Sequence, residues 1–232
     1  MNWLLRSLQS SIGRKLLVAL TGVALLGFVI AHLLGNLQVF AGPDRLNGYA
    51  EGLEHLGPLL WAARLGLIVM AVAHVALTLK LAAENRAARP VAYAARGRVQ
   101  STASARSMLL TGLMVLAFVL YHLAHFTWGV AHPEFSGRLD SQGRRDVYSM
   151  VVASFQQWPI VAAYAVAMIL LGLHIRHGAS SIFQTFGWNH PKYNPFLHAV
   201  GPVLALLIVA GNLAIPFACL AGLVKLPPGV TF

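Results

Sequence analysis

The chain has 232 residues, 57% of them hydrophobic and only 10% charged, with a net charge of +10 and a mean hydropathy of +0.67. So little charge excludes an ordinary soluble domain, in which about a quarter of the residues are charged. The basic residues lie in short connections between apolar runs, where they set membrane orientation rather than form a nucleic-acid surface.

Five apolar runs are long enough to cross a bilayer, which takes about 20 helical residues. The first covers residues 16–40 and follows Arg6, Arg14 and Lys15. It exceeds the core of a signal peptide, and no small-residue cleavage site closes it. The next four cover residues 59–83, 107–131, 158–175 and 196–224. The last contains Pro202 and Pro216, which a membrane helix tolerates. It also holds the single cysteine, Cys219, which excludes an internal disulfide and an iron–sulfur cluster held by this chain alone. The predicted fold is an all-α membrane protein with five transmembrane helices in one domain, residues 1–232. No strong internal repeat, low-complexity tract or phosphate-binding glycine loop stands out.

Charge divides by side. Arg6, Arg14, Lys15, Lys80, Arg86, Arg89, Arg96, Arg98, Arg106, Arg176 and Lys192 fall on one side with Glu84 as its single acid. The other side balances Arg45, Arg64, Arg138, Arg144, Arg145 and Lys225 against Asp44, Glu51, Glu54, Glu134, Asp140 and Asp146. This bias predicts a cytoplasmic N-terminus and an outward C-terminus.

Of ten histidines, His55, His132 and His190 fall in connections and His177 and His198 at span edges, while His32, His74, His122, His125 and His174 lie within the first four spans. Ionisable groups inside a bilayer are costly and usually serve a purpose in the bundle interior. A lone membrane histidine is as readily an interhelical hydrogen-bond donor; one on each of four helices is a stronger signal. At 1.5 Å per residue, His32 lies about 25 Å beyond Lys15 and His122 about 24 Å beyond Arg106, a matched outer level. His125 falls about 4.5 Å higher on nearly the same face as His122. His74 is close before Lys80 and His174 close before Arg176, a looser inner level, with His177 at or beyond the membrane face.

The expected pairs are His32 with His122 and His74 with His174, each able to clamp one haem iron between neutral imidazoles. The irons would lie roughly 10–15 Å apart along the membrane normal. No C-x-x-C-H occurs, so attachment would be non-covalent. Two axial imidazoles close the iron to oxygen and favour electron transfer. A structural metal would want its ligands at one depth. A proton relay would want intramembrane acids, which are missing. Gly27, Gly35, Gly112 and Gly172 would admit a flat macrocycle, or else serve close helix packing.

Several stretches resemble a known family. They are Ser10-Ser11-Ile12-Gly13-Arg14-Lys15, Ala19-Leu20-Thr21-Gly22, His32-Leu33-Leu34-Gly35-Asn36, Tyr121-His122-Leu123-Ala124-His125-Phe126, His174-Ile175-Arg176-His177-Gly178 and Phe183-Gln184-Thr185-Phe186-Gly187. In order and spacing they resemble the cytochrome b558 subunit of succinate dehydrogenase, the five-helix, two-haem anchor of succinate:quinone oxidoreductases and fumarate reductases. The resemblance covers nearly the whole chain. It implies two stacked b-type haems within the first four helices, the distal one on His32 and His122 and the proximal one on His74 and His174. It also implies a flavoprotein and an iron–sulfur subunit docked on the cytoplasmic face of a bacterial membrane, with a quinone, menaquinone by this likeness, as electron acceptor or donor. The dicarboxylate site would belong to the flavoprotein, not to this chain. Some two-haem relatives carry a glutamate two residues before the fourth ligand, linked to transmembrane proton movement; here that position is Gly172. The alternative is the cytochrome b anchor of a hydrogenase or formate dehydrogenase, which would share the helices and histidines but not the order of residues around them.

Quinone chemistry needs proton donors and acceptors at the carbonyl oxygens. Glu51, Glu54 and His55 lie near the outer level, and Glu54 is the expected proton-transfer residue; the ordinary reading is a solvated loop carboxylate. Haem propionates need cations. Arg14, Lys15, Arg106 and Arg176 lie near the inner level, with Arg176 the best placed, unless they meet lipid phosphates instead.

Overall fold

A computed structural model describes residue 6 and residues 10–88 and 103–232, the side chains of 103–106 excepted. Arg89, Arg96 and Arg98 lie outside the described residues, as does the side chain of Arg106. Among the described residues there is helix but no strand. The helices are α1 (Ser11–Asn36), α2 (Pro43–Glu54), α3 (Pro58–Ala87), α4 (Ala103–His122), α5 (Val147–Phe155), α6 (Trp158–Thr185) and α7 (Asn194–Leu220). Five of them, α1, α3, α4, α6 and α7, are long and apolar enough to cross a membrane. The protein is a multi-pass membrane protein built on these five spans.

Local chemistry sets the ends of the spans. Ser10 caps α1, its hydroxyl accepting from the Gly13 N–H at 3.0 Å. Gly42 and Gly57 take positive φ values of 97° and 51°, each just before a proline that opens a helix. A residue before proline is barred from the α region, and glycine is free to turn the chain there. α6 runs on to Thr185 rather than stopping at residue 175. Hydropathy falls at Arg176, but Ser180 Oγ lies between the Arg176 carbonyl of its own helix at 3.2 Å and the His198 carbonyl of α7 at 3.4 Å. A Cβ on Gly201 would collide with Ser180 and the Arg176 carbonyl, so close packing of two helices carries α6 past its apolar stretch. α7 stops at Leu220, short of residue 224. Gly222 is left-handed at φ 69°, and the Leu223 N–H returns to the Ala218 carbonyl at 2.9 Å, a glycine-closed helix end.

In the bundle, α6 packs along both α4 and α7, and α1 packs along α3 and touches α6. α3 stands apart, with no buried residue in its thirty although its most apolar window averages a hydropathy of 2.1. The buried core lies in two places. One is the outer end, where Val39, Leu46, Tyr148, Val152, Phe155 and Tyr164 meet Cys219. The other lies between α6 and α7, around Ile175, Ala179, Ala205 and Ile208.

The predicted outer connections contain α2 and α5, tied by a polar knot. Asn47, 1% exposed, donates from Nδ2 to Asp146 Oδ1 at 3.1 Å and Asp140 Oδ2 at 3.2 Å, and its Oδ1 accepts from the Tyr148 N–H at 2.9 Å. Asp146 caps α5 through Ser149 N–H. Arg144 bridges Asp140 at 2.7 Å and Asp44 at 2.9 Å. Burial pushes the Asp140 carboxyl up, but the Arg144 side chain and amide, the Gln142 amide and Asn47 together outweigh it and hold the pKa at about 2. A carboxyl depressed in the folded state contributes stability above its unfolded pKa, about 3.9, and loses it as the pH falls through the folded value. The loop carrying Asp140 is therefore expected to keep full amide-exchange protection at pH 5 and to lose it between about pH 4 and pH 2. Protection unchanged at pH 2 would contradict this assignment.

Candidate functional site

The structure brings the histidines of four spans into two groups. His32 of α1 and His122 of α4 face each other edge to face, ring centres 5.7 Å apart and planes at 89°. Phe28 stacks on His32 at 5.4 Å and Phe118 tilts against His122 at 5.8 Å. At the other level, His74 of α3 and His174 of α6 lie within electrostatic reach of each other. His174, not His177, faces α4.

The inner group is built the same way twice. His74 Nδ1 is 3.1 Å from Thr21 Oγ1. His174 Nδ1 is 3.4 Å from Thr111 Oγ1. Each threonine hydroxyl has its proton engaged by its own helix, Thr21 with Leu17 at 2.8 Å and Thr111 with Ser107 at 2.9 Å. The threonine oxygens therefore accept, the proton of each imidazole sits on Nδ1, and Nε2 keeps its lone pair. The glycine after each threonine faces the same ring. A Cβ on Gly22 would lie 3.3 Å from His74 Cε1, and one on Gly112 3.1 Å from His174 Cε1.

This likeness exposes a repeat that the sequence reading did not find. Leu20-Thr21-Gly22, Leu26, Phe28-Val29 and His32-Leu33 of α1 recur as Leu110-Thr111-Gly112, Leu116, Phe118-Val119 and His122-Leu123, at identical spacing. The repeat shows only when the spans are aligned on their histidines, because the intervening residues are interchangeable apolar ones. Each copy gives one histidine to the outer pair and one threonine–glycine cradle to an inner histidine.

Other expectations fare differently. Among Gly27, Gly35, Gly112 and Gly172, only Gly112 faces an imidazole. Gly35 lies against the Tyr49 ring and Gly172 against Val209, both packing contacts, and Gly27 has open space. His125 shares the Tyr164 hydroxyl with His122 and is the more deeply buried of the two. α4 ends at His122, and a π-helical turn, Leu123–Thr127, closed by Trp128 N–H on the Leu123 carbonyl at 2.8 Å, carries the buried His125. Arg176 is exposed. Two residues past His174 it stands about 200° around α6, away from the histidine face. Arg14 pairs with Glu84, joining the ends of α1 and α3. Glu54 is exposed and lines a cleft of about 600 Å³ with Glu51, His55, Trp128, Arg138 and Arg145. Arg145 donates to the Phe126 carbonyl at 3.1 Å, and the Phe126 ring touches His122 at 5.6 Å, so the cleft adjoins the outer pair through one side chain.

The donor set fits haem. Among the described residues no three or more His, Cys, Asp or Glu converge as a cage for a bare ion. Two imidazoles suffice when a macrocycle supplies the other ligands. A metal about 2 Å from each of two imidazole nitrogens separates the ring centres by roughly 6 Å, close to the spacing of His32 and His122. The cradles at Gly22 and Gly112 leave space where any side chain would press on an inner histidine. In comparison with known proteins, the chain matches no family model, no curated protein and no solved structure.

Proposed function

We propose that this chain is the haem-bearing membrane anchor of a succinate dehydrogenase or fumarate reductase, carrying electrons between an iron–sulfur subunit and a membrane quinone. The reading rests on the duplicated frame in which each copy supplies one outer histidine and one cradle for an inner one, joined to the resemblance of the motifs around those histidines. His32 and His122 would hold the distal haem, and His74 and His174 the proximal one. Bound there, haem would supply a one-electron carrier. The chain's own part is orientation: Thr21 and Thr111 hold the proton of His74 and His174 on Nδ1, which would leave Nε2 free to hold the haem.

The flavoprotein and iron–sulfur subunits would dock on the basic, cytoplasmic side, and the C-terminus would face outward in a bacterial cytoplasmic membrane. Quinone, menaquinone by resemblance, would react at the cleft beside the outer pair. Glu54, with Glu51 and His55, can exchange protons between its carbonyl oxygens and the outer medium. Arg176, exposed at this level, would meet a haem propionate or a lipid phosphate.

A reduced-minus-oxidised spectrum of the chain purified from membranes, with a haem count, tests the reading. Two b-type equivalents per chain are expected, and the absence of a b-type band sinks it. Gly112→Val is expected to lower the count towards one, because its side chain presses on His174. Glu54→Gln is expected to keep both haems and slow quinone reduction about 100-fold, the lower end of what a proton-transfer group contributes. An unchanged rate would return Glu54 to the surface.

A further inference from the structure

His125 is among the largest side chains buried almost completely, at 1% exposure, and belongs to neither pair. Both of its nitrogens are bonded, Nδ1 to Tyr164 at 3.0 Å and Nε2 to Ser154 at 3.0 Å. Tyr164 reaches on to His122 Nδ1 at 3.3 Å. These bonds form one chain whose direction is set from its far end. The Met150 carbonyl can only accept, so Ser154, 2.6 Å away, gives its proton there. Ser154 Oγ then accepts from His125 Nε2–H. A neutral imidazole protonated on Nε2 has only an acceptor at Nδ1, which takes the Tyr164 hydroxyl proton. The phenol oxygen is left to accept from His122 Nδ1–H. His122 thus keeps its lone pair on Nε2.

We propose that Tyr164, backed by His125 and Ser154, is the positioning group that fixes the proton and orientation of His122. The inference rests on His122 being a haem ligand. The outer site needs such a device because the repeat gives it none: the threonines of both copies serve the inner histidines, at the opposite level. The π-turn after His122 delivers His125 to Tyr164, and such turns recur at functional sites. A hydrogen bond accepted from the distal nitrogen raises the basicity of a ligating imidazole, which favours the oxidised iron.

The test is a redox titration of the full haem-loaded chain, followed optically, with the low-spin electron paramagnetic resonance signals of the oxidised protein. In Tyr164→Phe one of two components is expected to move to a more positive potential with a shifted resonance, while the other stays put. Ser154→Ala and His125→Leu should move the same component in the same direction. His125→Gln, whose amide can accept from Tyr164 and donate to Ser154, should restore both values. Should Tyr164→Phe fail to assemble, Ser154→Ala carries the test, since it removes one oxygen and leaves every ring in place. Two haems with unmoved values in Tyr164→Phe and Ser154→Ala overturn this proposal alone. A wild-type chain with no b-type spectrum overturns the parent reading as well.

Discussion

His32→Ala is expected to bind one haem where the wild-type chain binds two, and the one retained is the inner. His32 packs its ring on Phe28 and against His122 at the outer level, so its loss removes a ligand and little else. His74 and His174 take their orientation from Thr21 and Thr111, on the far side of Gly22 and Gly112 from the outer pair, and none of those contacts uses His32. His74→Ala should give the reciprocal result. Haem counts with the two optical components resolved by potential check both. Retention of two haems in either variant, or loss of both in both, would contradict independent pairing.

Asn47→Ala carries the largest expected cost to stability, about 3 kcal/mol, because it leaves buried hydrogen-bonding groups without partners. The Tyr148 N–H loses its acceptor, and Asp146 and Asp140 each lose a donor. Asn47→Asp keeps the acceptor for Tyr148 but sets a third carboxylate beside two, and should be no better. Thermal unfolding in detergent reads the global effect. Trypsin reads the local one at Arg138, Arg144 and Arg145, which the knot holds. Cleavage no faster than in the wild type would show that α2 and α5 are held by their apolar contacts alone.

Much of the bundle was legible because it depends on composition within single segments. An apolar run of sufficient length names a membrane helix whatever surrounds it. The boundaries were less so: α6 outlasts its apolar stretch through contacts with α7, and hydropathy does not register a glycine that lets two helices touch, as Gly201 does at Ser180. The outer connections read as charged loops, yet Asn47 meets Asp146, 99 positions on, and only that meeting makes α2 and α5 one unit.

The histidines divide along the same line. The sequence alone determined that four spans each carry an imidazole at one of two depths, because rise per residue is fixed and ionisable groups are rare in hydrocarbon. The tertiary structure decided how helix rotation presents them. It put His122 opposite His32 and set His125, on a π-turn, in a hydrogen-bonded chain that returns to His122 through Tyr164. It also put Gly22 and Gly112, each ten residues before an outer histidine, against the inner ones. Depth is a property of one helix, whereas facing is a property of two.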